Sequence, residues 1–179
     1  MYIENINSPA DLKKLSLNEC EALAAEIRSA LIKKASLKGG HLASNLGMVE
    51  AEIALHYVFD SPKDKIIFDV SHQCYTHKIL TGRKDAFTVE EKYNSANGYT
   101  NPDESDHDLF RVGHTATSIS LACGLAKARN IRGSKESIIA VIGDGSLSGG
   151  EAFEGLDFGG SDIEGNFIVL FNDNQMSIA

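Results

Sequence analysis

Residues 138–150 read Ile-Ile-Ala-Val-Ile-Gly-Asp-Gly-Ser-Leu-Ser-Gly-Gly; after a helix-like segment, residues 167–177 read Phe-Ile-Val-Leu-Phe-Asn-Asp-Asn-Gln-Met-Ser. Two apolar runs, Ile138 to Ile142 and Phe167 to Phe171, each end in a polar cluster. Both are continuous and rich in β-branched or aromatic residues, which predicts strands buried on both faces of a parallel sheet. A crossover helix between them makes a βαβ unit. The predicted fold is therefore α/β: a doubly wound, mainly parallel sheet with helices on both faces. In such sheets ligands bind beyond the carboxyl ends of the strands, so Asp144 and Asn174 are expected to converge on one site.

Composition narrows the function classes. The chain has 179 residues, 42% hydrophobic and 23% charged, which predicts one globular domain over 1–179 with a real core. No repeat, low-complexity tract or linker marks a boundary. No apolar run approaches membrane-spanning length and no signal-peptide layout opens the chain, so no membrane partner is expected and the predicted location is cytoplasmic. Three cysteines, Cys20, Cys74 and Cys123, form no C-x-x-C pair and suit a reducing compartment. A formal charge of −8 argues against a nucleic-acid partner. An anionic ligand would then need a metal ion or helix amino-termini beside it.

Upstream, Ser8-Pro9-Ala10-Asp11 has the grammar of a helix start. Ser16-Leu17-Asn18-Glu19 is a capping box opening a helix to about Lys34, with Leu23, Ile27, Ala30 and Leu31 on its apolar face. Gly39-Gly40 ends it and delivers His41 in a loop. Val49, Ile53 and Tyr57 mark another amphipathic helix. Lys65 to Val70 is a third strand candidate, which puts His72 at a carboxyl strand end too. Gly82 to Asp108 is polar, with Asn97-Gly98 and an acidic run, and predicts an irregular, partly mobile loop. Gly113-His114-Thr115 opens a helix rich in small residues, able to pack closely against a sheet or a second subunit.

Asp144 and Asn174 stand thirty residues apart at two strand ends. A carboxylate and a carboxamide are hard oxygen ligands suited to magnesium that keeps positions open for diphosphate oxygens. The glycines flanking Asp144 allow close backbone approach. The same spacing also fits a plain strand-to-helix turn with a solvated aspartate. The third small residue of the dinucleotide fingerprint is missing, and no Gly-Lys-Ser/Thr is present for a P-loop. His56, at helical spacing among Glu52, Ile53 and Tyr57, reads as structural, and His107 in the acidic loop as solvated. His72, Cys74 and His77 offer three potential zinc ligands without a fourth nearby, a poor zinc site.

The paired motifs resemble the thiamine-diphosphate signature. The surrounding stretches, Gly39-Gly40-His41-Leu42-Ala43-Ser44-Asn45-Leu46-Gly47, Leu55-His56-Tyr57-Val58-Phe59, Asp69-Val70-Ser71-His72-Gln73, His77-Lys78-Ile79-Leu80-Thr81-Gly82-Arg83 and 113–120, make the chain similar from about Leu15 onward to the amino-terminal domain of the 1-deoxy-D-xylulose-5-phosphate synthase family, within the transketolase superfamily. The resemblance implies that Asp144, Asn174 and the carbonyl of Met176 bind magnesium and that Gly145 and Ser146, with Asn174, lie along the diphosphate. It implies that His72 and the Gly113-His114-Thr115 turn line the cofactor, and that His41, His72 and His114 serve catalysis, His41 by shuttling protons. Thr115, at a helix start, could donate to phosphate.

The implied reaction is the thiamine-diphosphate- and Mg2+-dependent condensation of pyruvate with glyceraldehyde 3-phosphate, losing carbon dioxide, in isoprenoid and thiamine synthesis. The family also needs a pyrimidine-binding domain, not found in these residues. The expectation is thus a fragment or one half of a split enzyme, inactive alone, and a homodimer when complete. Ser71 stands where the family has glycine, Cys74 where it has alanine, Thr76 where it has proline, Thr115 where it has serine, and Glu151 where it tends to be apolar. These departures leave room for a sister transketolase-type enzyme with another ketol donor, or for a non-catalytic cofactor-binding module.

Overall fold

The computed structural model describes residues 1–173. The chain forms two compact units interleaved in sequence: Met1–Asp60 with His72–Tyr99, and Ser61–Ser71 with the chain from Thr100.

The first unit is helical. Its elements are α1 (Pro9–Leu12), α2 (Leu17–Lys38), α3 (Leu42–Leu46), α4 (Val49–Val58), α5 (Tyr75–Lys78) and α6 (Asp85–Thr88). The predicted capping box opens α2: Ser16 takes the Glu19 N–H and the Glu19 carboxylate takes that of Ser16. This satisfies two of the amide groups a helix start leaves over. The helix runs four residues beyond the predicted end and stops at Gly39, whose φ of 73° is left-handed. Leu23, Ile27 and Leu31 on α2, Val49 and Ile53 on α4, and Ile79 and Leu80 share one buried core. Ala86 and Phe87 of α6 belong to it as well. That corrects the reading of 82–108 as a partly mobile loop: its few apolar residues are scattered among polar ones, and two adjacent ones are enough to anchor it.

The second unit carries the sheet: β1 (Lys65–Phe68), α7 (Ser118–Arg132), β2 (Ile138–Gly143), α8 (Asp144–Leu147), α9 (Gly150–Asp162) and β3 (Phe167–Asn172). The three strands are parallel in the order β1-β2-β3, so the α/β class and the parallel sheet are as predicted. Ile67, Ile138, Ala140 and Ile142 pack with Ile119, Ala122, Cys123 and Ala126 of α7 and Ala152 of α9. The small side chains of α7 are thus spent on close packing with sheet and helix. Leu109 and Phe110 of the irregular 100–112 segment pack against the same core. Within that segment Asp108 is buried and accepts the Asn101 N–H at 2.7 Å, and Thr100 Oγ1 donates to Phe110 O at 2.8 Å. His107, read as solvated, instead bonds Ser61 Oγ through Nδ1 at 2.8 Å.

One strand departs from expectation. β2 is buried along its length, but β3 leaves Ile168 36% and Phe171 48% exposed. Among the described residues β3 is an edge strand, and a continuous apolar run does not by itself separate an edge from a centre. No described helix is long and apolar enough to cross a membrane.

Candidate functional site

The predicted residues fall in both units. In the first, Gly39 and Gly40, both at positive φ, carry the chain from α2 to His41. A Cβ on Gly40 would lie 3.1 Å from the Tyr75 hydroxyl, so the backbone passes directly over that ring. His41 is exposed, and its N–H donates to Tyr75 Oη at 3.4 Å. Its ring meets the His72 ring edge-on, centroids 5.3 Å apart, and the Tyr99 ring at 5.4 Å. Burial pushes the Tyr75 phenol pKa up, so it stays a neutral hydroxyl. The two histidines assigned to catalysis in this unit are therefore in contact. Tyr75 and Tyr99 accompany them, and no periodicity marks either as part of a site.

In the second unit β1 ends at Phe68 and is followed by Asp69, which is 1% exposed. Its carboxylate receives the N–H groups of Ala116 at 3.0 Å and of Thr117 and Ser118 at 2.9 Å each. The orphan N–H of Ser118, first residue of α7, and those of the two residues before it thus end on an internal anion, the favoured pairing at that end of a helix dipole. Thr115 precedes the helix, which begins at Ser118, so it does not stand at a helix start as the sequence predicts. Val70, Ser71 and Ala116 all adopt positive φ, at 57°, 69° and 70°. Each costs roughly 1–3 kcal/mol and persists only where surroundings fix it. Ser71 stands where glycine would be free of that strain. Its hydroxyl offsets it by donating to Val112 O and accepting from Thr100 N, both at 3.1 Å.

Gly113, His114 and Thr115 are exposed. His114 bonds Thr115 O through Nδ1 at 2.8 Å, and Thr117 Oγ1 donates to His114 O at 3.2 Å. A cavity of about 380 Å3 opens here, lined by Arg111, Gly113, His114, Thr117, Ser120 and Glu151 among others. Asp144 follows the last residue of the central strand β2 and begins α8, half-buried. Gly143 pairs in register with Asn172 of β3, so the two strands end level. Asn174 and Met176, the other predicted metal ligands, lie outside the described residues. Among those described, no three His, Cys, Asp or Glu side chains are grouped to hold a metal ion.

The described residues fit a diphosphate with a hard divalent cation. A Cβ added at Gly113 or Gly145 would meet nothing within 4 Å, so the molecule's own packing does not explain those glycines, and the space beside them is open. Asp144 is an oxygen ligand of the kind magnesium takes. Gly149 differs: a Cβ there would lie 2.4 Å from that of Ala116, so it joins the start of α9 to the 113–117 turn. Asp69 and Asn45, a buried carboxamide on α3, hold the backbone at His41, His72 and 116–118, and the sequence reading gives neither a role.

A family model described as 1-deoxy-D-xylulose-5-phosphate synthase matches residues 3–179. The chain is 52% identical over 177 residues to the 1-deoxy-D-xylulose-5-phosphate synthase 1 of Geobacter sulfurreducens, covering 99% of this chain and 28% of that protein. It is 53% identical over 177 residues to the 1-deoxy-D-xylulose-5-phosphate synthase of Caldanaerobacter subterraneus subsp. tengcongensis, with coverage of 99% and 28%. To the protein of the same description in Dictyoglomus turgidum it is 52% identical over 179 residues, covering 100% and 29%. The chain thus spans about 28% of the length of the first of these relatives.

Proposed function

The chain belongs to the family of 1-deoxy-D-xylulose-5-phosphate synthase amino-terminal domains, and from that premise we propose that it forms the diphosphate- and magnesium-binding part of a transferase that condenses pyruvate with glyceraldehyde 3-phosphate, releasing carbon dioxide. The product would serve isoprenoid and thiamine synthesis. The observation that carries this reading is the placement of Gly143-Asp144-Gly145 at the end of the central strand, level with the end of β3. Open α/β sheets bind phosphates at such strand ends.

Asp144 is the proposed magnesium ligand among the described residues, joined by Asn174 and the Met176 carbonyl. Gly145 and Ser146 lie along the diphosphate; Gly113, His114, Thr115 and His72 line the cofactor. Thiamine diphosphate, when bound, supplies the reactive carbon and electron sink that joining the two substrates requires. The chain's own residues bind, orient and move protons. His41, exposed and in edge contact with His72, is the proposed proton shuttle. His72 and His114 are proposed as polar donors to the same cofactor. We assign the pyrimidine-binding contacts, and a homodimeric assembly, to the longer proteins of which the relatives are examples.

Asp144→Ala tests the assignment. Its carboxylate lies outside both apolar cores, so the unfolding midpoint should stay within about 0.5 kcal/mol of wild type. Magnesium-dependent thiamine diphosphate affinity, measured by titration calorimetry, should fall by more than about 100-fold. An unchanged affinity would refute the site.

A further inference from the structure

We propose that Asn45 is a positioning residue that sets the separation of His41 and His72, one carboxamide holding the backbone carbonyls of both. Asn45 is 1% exposed. Its Nδ2 donates to His41 O at 2.6 Å and to His72 O at 2.8 Å, and its Oδ1 accepts the Tyr75 N–H at 2.8 Å. A primary amide has two donors, and both are used, one on each histidine. The three partners come from three places in the chain: the loop after α2, the segment after β1, and the first residue of α5. A rigid planar group only two bonds from its own backbone therefore fixes their relative positions.

The His41 backbone is held from its other side as well, because its N–H donates to the Tyr75 hydroxyl while Asn45 fixes Tyr75 through its own N–H. Asn45, Tyr75 and the two histidine carbonyls form a closed frame. The ring contact at 5.3 Å between His41 and His72 hangs from that frame. The chemistry excludes close substitutes. Aspartate keeps the acceptor for Tyr75 but turns two donors into an acceptor facing two carbonyl oxygens. Serine is too short to span both carbonyls.

The inference rests on reading His41 and His72 as a working pair, and its test separates the two claims. In the full chain carrying Asn45→Asp, ring-to-ring nuclear Overhauser cross-peaks between His41 and His72 should be lost. The imidazole nitrogen shifts of both residues should titrate at changed pH, while methyl signals of Leu23 and Ile27 on α2 stay in place. In turnover assays of the assembly that also carries the pyrimidine-binding domain, kcat should fall by about 100-fold, as expected of a displacement near 1 Å, with KM little changed. If Asn45→Asp does not unfold cooperatively, Asn45→Ser carries the same measurements without adding charge. Retained cross-peaks and unaltered titrations in the folded variant would overturn the positioning role. A wild-type assembly, pyrimidine-binding domain included, that shows the ring contact but joins no pyruvate to glyceraldehyde 3-phosphate would sink the functional reading and leave the frame standing.

Discussion

At the scale of single residues, the buried carboxyl of Glu52 offers a sharp thermodynamic signature. It is fully enclosed on α4, with Oε2 accepting the His77 N–H at 2.5 Å. His56 and His77 pack as a stacked pair, Nε2 to Nδ1 at 2.8 Å. Burial pushes the Glu52 pKa well above its ordinary 4.5, outweighing the His77 N–H that lowers it. A raised pKa means that the folded state keeps a proton the unfolded chain gives up. Its contribution to stability is therefore complete below pH 4.5 and is lost as pH rises toward the folded value. Glu52→Gln keeps the shape and both hydrogen-bonding edges but cannot ionise. Its urea midpoint should match wild type at pH 4 and exceed it increasingly up to pH 8. His56, Tyr75, His77 and Lys78, the other buried titratable groups on α4 and α5, are common to both proteins, so the difference isolates Glu52; a pH-independent difference would contradict this. Residues of this kind are the least legible in sequence. His56 is readable as structural from its spacing, but Glu52, Asn45 and Asp69 act through partners 25, 27 and 47 residues away, and a single distant bond leaves no period.

At the scale of elements, the approach of the 113–117 turn to the residue before α9 makes glycine a matter of distance. A Cβ at Gly149 would sit 2.4 Å from that of Ala116, a residue itself held at φ 70°. Gly124, exposed on α7, has nothing within 4 Å. Gly149→Ala should therefore destabilise by about 1–3 kcal/mol through overpacking, whereas Gly124→Ala should stabilise by about 0.5–1 kcal/mol by removing backbone freedom from the unfolded chain. Denaturant unfolding of the two variants should move the midpoint in opposite directions. Elements with strong local grammar are legible in the sequence: the capping box of α2, Ser8-Pro9 at α1, β2 and β3 stand where their residues predict, and β1 starts as predicted but stops at Phe68, two residues short of Val70. What escapes is tertiary: that β3 borders the sheet among the described residues, and that Phe87 and Asp108 anchor stretches of polar sequence. Neither edge position nor a single anchor alters the local pattern.

At the scale of the whole molecule, two units share one chain that passes between them three times, after Asp60, Ser71 and Tyr99. Each has its own apolar core, so each can open and close as a cooperative body. The residues assigned to the site divide between them, His41 and His72 in one and Gly113 to Thr115 and Asp144 in the other. The Asp69 anchor has a consequence for how the second unit breathes. The opening amides of a helix usually have no partner and give up deuterium or hydrogen to solvent almost at once. Here the amides of Ala116, Thr117 and Ser118 end on a carboxylate that solvent barely reaches. In hydrogen–deuterium exchange they should be retained about as long as the central strand β2 and be released only when the unit as a whole unfolds; exchange at the pace of Gly113 would show that the anchor opens alone. The start of α7 would then be timed by the stability of the sheet, with the neighbouring 113–115 turn left quick on a slow foundation.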